Sequence, residues 1–177
     1  MTTSNHRYPE DAGCYPIGEP GGIGKDPAWQ GEVDRLAPSR VTVLLVGGDA
    51  ALKRAVAQAL HDRSPRGTAA FESVDCCGLN PEQVELRLFG GPAHAPLGEG
   101  AVQRAGAGTL YVAGIDELPL LVQPRFLRFL DQERQARVVA SAASELTARV
   151  VHGKFRRDLA ERLSLVELSL PTPPQSV

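Results

Sequence analysis

The stretch VTVLLVGGDAALKRAVAQALHDR, residues 41–63, changes its hydrophobic period halfway along. Val41 to Val46 is apolar on both faces, which suits a central parallel strand covered on both sides. Gly47 and Gly48 end it, and from Ala51 the apolar residues recur at helical spacing. One β-loop-α unit results, and the same alternation continues downstream. FESVDCC (71–77) reads as a second strand, and NPEQVELRLF (80–89) as a helix with Asn80 as its cap and Pro81 at its first position. GTLYVAGI (108–115) is a third strand, followed by a helix from Pro119 to about Glu133. ARVVASA (136–142) is a fourth, ahead of the basic amphipathic run HGKFRRDLAERL (152–163). SLVELSL (164–170) is the last strand candidate before Pro171, Pro173 and Pro174 stop regular structure. Strands alternating with helices predict an α/β fold with a mostly parallel central sheet.

Composition narrows the function classes. A chain of 177 residues with 42% hydrophobic content and net charge −2 fits one globular domain with a tail. Residues 1–22, rich in proline and glycine and poor in large apolar side chains, read as a flexible tail, residues 23–173 as the domain and 174–177 as a second tail. The balance of 19 basic and 21 acidic residues gives no electrostatic footprint for nucleic acid. No apolar run approaches the ~18 residues that span a bilayer, and the N-terminus carries no secretory pattern, so a cytoplasmic protein is expected. Cys14, Cys76 and Cys77 lack metal-ligand spacing and read as reduced thiols, Cys76 buried in its strand. His6, His61, His94 and His152 form no ligand or catalytic constellation and receive no role.

The glycine turn after the first strand is the chemical focus. In a P-loop, glycines let backbone N–H groups wrap phosphates, a lysine neutralises them, and a later strand delivers acidic groups to magnesium and water. Read against GxxxxGK[ST], residues 47–54 are GGDAALKR: Gly47 and Lys53 remain, while Leu52 stands where the last glycine belongs. An isobutyl group there crowds the approach of phosphate to backbone, and Asp49 adds negative charge to a site meant for anions. The candidate, degenerate nucleotide-binding residues are therefore Gly47, Gly48, Lys53 and Arg54. Lys53 is either a surviving phosphate ligand or a solvated residue on the first helical turn, and with its cradle altered the solvated reading leads.

Four segments in order resemble the AAA+ domain of the sigma-54-dependent bacterial enhancer-binding activators. IGKDPAWQ (23–30) resembles that family's entry segment beside the adenine, which puts Trp29 next to the degenerate pocket. SVDCCGLNPEQVELRLFG (73–90) resembles its strand and helix leading to Leu-Phe-Gly, and GTLYVAGIDELPLLVQPRFLRFL (108–130) its Walker B region. GKFRRDLAERL (153–163) is similar to its arginine-finger segment, placing Arg156 and Arg162 at finger-like positions. The resemblance implies a P-loop NTPase-like (AAA+) three-layer sandwich. Where the family has an Asp-Glu pair, this chain has Ala113-Gly114, so magnesium and the attacking water lose their holder. Asp116-Glu117 lie further on and are not read as a replacement. GPAHAPLGE (91–99) stands where the family inserts its sigma-contacting GAFTGA loop, and ASAA (140–143) where its polar sensor sits. Neither a helical lid nor a helix-turn-helix follows before Val177, so direct DNA binding is not expected.

These departures imply a non-catalytic AAA+-like regulatory or adaptor protein without catalytic residues, metal or cofactor. It would act by protein–protein interaction in transcriptional or signalling regulation, with a sigma-54-dependent AAA+ activator or a second copy of itself as partner. One alternative is a sensor that binds ATP, ADP or a cyclic dinucleotide without hydrolysis, through Lys53 and nearby arginines. Another is a degenerate response-regulator receiver, which residues 41–60 also resemble.

Overall fold

The computed structural model describes residues 27–91, 98–132 and 136–171. The expected tails, 1–22 and 174–177, lie outside them, as do residues 23–26 of the entry segment. In chain order the described elements are α1 (Pro27–Leu36), β1 (Val43–Gly47), α2 (Ala50–Asp62), β2 (Phe71–Asp75), α3 (Pro81–Phe89), α4 (Ala101–Ala105) and β3 (Thr109–Ala113). A 3₁₀ turn (Ile115–Glu117) then leads to α5 (Gln123–Asp131), β4 (Arg137–Ser141), α6 (Leu146–Val151), α7 (Arg157–Leu163) and β5 (Glu167–Leu170).

The five strands form one sheet in the order β2-β3-β4-β1-β5, every neighbouring pair parallel. β1 is interior: Leu44 lies opposite Ala140 of β4 on one side and Glu167 of β5 on the other. Its alternation sorts the core into two layers. Val43 and Leu45 face Trp29 and Val33 of α1, Val56 and Leu60 of α2, and Leu168 and Leu170 of β5. Leu44 faces the other way, into a cluster with Val84 and Leu88 of α3, Phe126 and Leu130 of α5, and Leu159 and Leu163 of α7. Helices thus cover both faces, as the all-apolar strand requires. No helix among the described residues is long and apolar enough to cross a membrane, and no helical lid follows β5 among them.

The strand order disposes of the receiver alternative. That fold places its first strand between the second and third, in the order 2-1-3-4-5. Here β1 lies between β4 and β5. The helix expected from Pro119 begins later, at Gln123, because Leu118–Val122 forms a turn in which Val122 and Gln123 donate to Pro119 O. Asn80 caps α3 as expected: its side chain accepts from Gln83 N–H while Gln83 reaches back to Asn80 N–H, a reciprocal capping box with Pro81 inside it.

Arg137, at the start of β4, holds the layers at one end. It is 1% exposed and donates through Nη1 to Ala37 O and Leu60 O and through Nη2 to Leu36 O. The carbonyl ends of α1 and α2 thus meet on one guanidinium, where helix dipoles favour a cation. Phe126 is fully buried at the centre of the second layer, against Phe129 at 5.9 Å between ring centres. Phe126→Ala should lower unfolding free energy by about 3–5 kcal/mol in a urea titration, the usual cost of an aromatic cavity.

Candidate functional site

The C-terminal ends of β1, β3 and β4 converge on the junction between β1 and α2. Gly47 and Gly48 both adopt left-handed φ, +70° and +60°. A Cβ at Gly47 would lie 2.4 Å from Leu170 O, so only glycine turns the chain here beside β5. The reversal is short. α2 starts at Ala50, with only Gly48 and Asp49 between it and the end of β1, and Lys53 N–H already donates to Asp49 O at 3.1 Å, the i to i−4 bond of an α-helix. The segment that would wrap a phosphate as an open loop is therefore wound into the first turn of α2.

Asp49 caps that turn. Its Oδ1 accepts from Leu52 N–H at 2.7 Å, so a carboxylate of the chain occupies one of the donors an anion would use. Leu52 lies over Gly48 beside Leu170, in the same apolar cluster as Trp29. Trp29 therefore packs in the layer that borders the turn.

Lys53 overturns the solvated reading. It is 8% exposed, and its Nζ donates 2.8 Å to Ala142 O, just past β4. Ala142 N–H in turn donates to Leu45 O of β1. The lysine ties α2 to the strand end where a polar sensor would sit, and no ion pair engages it among the described residues. Arg54, by contrast, is exposed and donates to Ser73 Oγ on β2 at 3.0 Å. Gly47, Gly48 and Lys53 are thus gathered at one strand end, while Arg54 points to the neighbouring strand.

At the end of β3, Ala113 and Gly114 bring no oxygen ligand. Gly114 is left-handed, φ +62°, and a Cβ there would sit 2.4 Å from Cys77 Sγ. Asp116 is buried and spoken for: Oδ1 accepts from Ala143 N–H at 3.1 Å, and Oδ2 from Ser144 N–H at 3.1 Å and Ser144 Oγ–H at 2.7 Å. Its carbonyl accepts from Arg149 Nε. Asp116 therefore shapes the segment after β4. Glu117 is exposed and accepts weakly from Gly78 N–H at 3.3 Å. No group of three or more His, Cys, Asp or Glu side chains suited to a metal occurs among the described residues. Cys76 and Cys77 are free; desolvation first, then the Asp75 carboxylate, pushes both thiols up to about 12.

The finger-like arginines are engaged within the chain. Arg156 is exposed and forks onto Asp158, Nε to Oδ1 at 3.0 Å and Nη2 to Oδ2 at 2.6 Å. Arg162 reaches Asp131 Oδ1 at 3.3 Å and Leu130 O at 3.3 Å, at the far end of α7. Between Gly90 and Glu99, residues 92–97 lie outside the described set, and an antiparallel bridge between Gly90 and Glu99 pins the ends of that segment together. Sequence reasoning did not foresee the Asp49 cap, the burial of Lys53 or the role of Asp116. An aspartate directly before a helical run is a capping signal, so the first was readable.

Residues 25–169 match the family model described as the sigma-54 interaction domain. The DNA-binding transcriptional regulator NtrC of Salmonella typhimurium is 34% identical over 169 residues, covering 84% of this chain and 36% of that protein. The transcriptional regulatory protein ZraR of Escherichia coli is 34% identical over 173 residues, 86% of this chain and 39% of that one. The chain thus spans less than half the length of these relatives. Among solved structures, NtrX from Brucella abortus in complex with ATP superposes with a TM-score of 0.76 at 29% identity, over 87% of this chain and 39% of that one. The P-loop NTPase domain of the sigma-54 transport activator from E. coli superposes with a TM-score of 0.61 at 17% identity, over 82% of this chain and 94% of that one, and shares the fold.

Removing the Asp116 carboxylate strands two backbone N–H groups and a hydroxyl. Asp116→Ala should therefore cost about 2–4 kcal/mol in denaturant unfolding. Glu117→Gln, at an exposed site, should stay within about 0.5 kcal/mol of the parent.

Proposed function

This chain belongs to the sigma-54 interaction domain family, and we propose that it serves there as a non-hydrolysing regulatory module that works by binding protein partners. One observation carries the reading: the Lys53 ammonium is buried and spent on Ala142 O. Lys53 would meet a phosphate only from this buried position, with one of its three N–H donors already held by Ala142 O, and the phosphate would have to displace the Asp49 carboxylate from Leu52 N–H. Magnesium would find alanine and glycine at 113 and 114, and Asp116 would have to abandon Ala143 and Ser144 to reach it. The residues present do not fit a magnesium nucleotide, and no hydrolytic step is assigned to them.

The surface supports a partner-binding role in place of chemistry. Leu121 and Val151 are more than four-fifths exposed, and Leu120 about half. Gln123 joins their two segments, donating to Leu118 O and Lys154 O and accepting from Arg156 N–H. Large apolar side chains held on a fixed turn suit a protein contact. A sigma-54-dependent AAA+ activator, or a second copy of this chain, is the partner proposed, in transcriptional regulation.

Phosphate release from magnesium ATP should not exceed the protein-free blank, and Lys53→Ala should change nothing. Magnesium-dependent turnover abolished by Lys53→Ala would overturn the reading. The adaptor role predicts copurification with an enhancer-binding ATPase of the native host and a change in its assembly or ATPase rate; neither effect would remove it. If the chain instead sensed a nucleotide, ligand at about 100-fold its Kd would add about 2.7 kcal/mol to unfolding. A melting profile that stays flat across ATP, ADP and cyclic dinucleotides is the expected outcome.

A further inference from the structure

A cavity of about 420 Å³ opens at the opposite end of the sheet, away from Gly47. Thr42 just before β1, Arg137 at the start of β4 and Val166 just before β5 line it, which places it at the N-terminal ends of the strands. Four guanidiniums border it, those of Arg40, Arg66, Arg137 and Arg162, and among the described residues no acidic side chain lines it. For a chain of net charge −2 this is a local inversion of sign.

The four are not equally answered. Arg162 has Asp131 and Leu130 O. Arg137 has three helix-end carbonyls, yet its buried Nε has no partner. The side chains of Arg40 and Arg66 make no hydrogen bond or ion pair among the described residues. Their charges are felt: burial first, then Arg40, holds the Arg66 guanidinium below its usual range. Burial, then Arg66, brings Arg137 to about 10. Like charges gathered in a concavity raise one another's energy, and an anion placed among them reverses the sign of that interaction.

The walls are apolar between the arginines, and Val41 and Leu165 remain 42% and 69% exposed at the rim. Apolar side chains left open beside unpaired guanidiniums suit a molecule with an anionic head and a flat or apolar body. The guanidinium fork matches phosphate oxygens two at a time. The volume falls in the ~300–1,000 Å³ range of small-molecule sites, and the surface is concave, unlike a protein-docking face.

We propose that this cavity binds a small phosphate-bearing molecule, its phosphate gripped by Arg40 and Arg66 and its body resting on Val41 and Leu165. The site is independent of the degenerate phosphate turn at the other end of the sheet and does not rest on the non-hydrolysing reading.

Calorimetric titration of the full chain at low ionic strength with sodium pyrophosphate, and separately with AMP, tests it. Pyrophosphate should bind at one saturable site. The double variant Arg40→Gln/Arg66→Gln should weaken it by about tenfold or more, and Arg54→Gln, at the opposite end, should leave it unchanged. AMP should compete for the same site. Since the two arginines repel each other, the double variant should melt no lower than the parent, which separates lost binding from lost folding. Absence of saturable heat for either probe up to about 10 mM would overturn the proposal. So would loss of binding in Arg54→Gln with the double variant unaffected, or AMP that fails to displace pyrophosphate.

Discussion

The bond from Lys53 Nζ to Ala142 O is the constraint around which the upper end of this domain is arranged. A lysine ammonium leaves water at considerable cost, and it stays buried only if something inside the protein receives its protons. The carbonyl it uses belongs to the residue whose own N–H already bonds to Leu45 O in β1. One side chain on α2 thereby fastens the ends of β4 and β1, the two adjacent central strands. Asp49 completes the arrangement by capping α2, so that helix N-terminus and lysine, the two positive elements of a phosphate site, are both answered by groups of the chain. An external anion would have to compete with these internal partners.

Much of the fold was legible because its interior strands β1, β3 and β4 are buried on both faces. A run such as Val41 to Val46 fits few places other than the middle of a parallel sheet, and once that strand is placed, the glycine turn and the following helix are nearly obligatory. Asn80 and Pro81 announced α3 by stereochemistry alone, and the capping box confirms it. The short helices α4 and α6 were not assigned, since five or six residues hold too little periodicity to separate a helix from a loop. Helix α1 was missed for another reason: its apolar residues Trp29, Val33 and Leu36 are few, and their helical spacing becomes meaningful only against α2 and β5.

At the candidate site, the residue types were readable and their partners were not. Leu52, Ala113 and Gly114 follow from the order of letters. The destination of the Lys53 side chain, 89 residues away in sequence at Ala142, is a tertiary fact. The same holds for Arg137, which reaches back about a hundred residues to α1. A lone arginine at the head of an apolar strand looks like a boundary residue, yet it is the cation on which two helix ends converge. Burial reversed the ordinary expectation in both cases, since long basic side chains are mostly solvated.

The two ends of the sheet are therefore electrostatic opposites in their bookkeeping. At the C-terminal end, positive groups are matched from within: Lys53 by a carbonyl, the α2 terminus by Asp49, and the loop donors of Ala143 and Ser144 by Asp116. At the N-terminal end, Arg40 and Arg66 face a cavity that no carboxylate lines among the described residues. A fold keeps an unmatched cluster of like charge only where other contacts hold it in place, and here Arg137 supplies that hold by pinning α1 and α2. Arg137 needs its carbonyl partners to stay folded, so it is not free to turn toward an anion. Arg40 and Arg66 carry no such duty, and for that reason the capacity to bind charge resides with them.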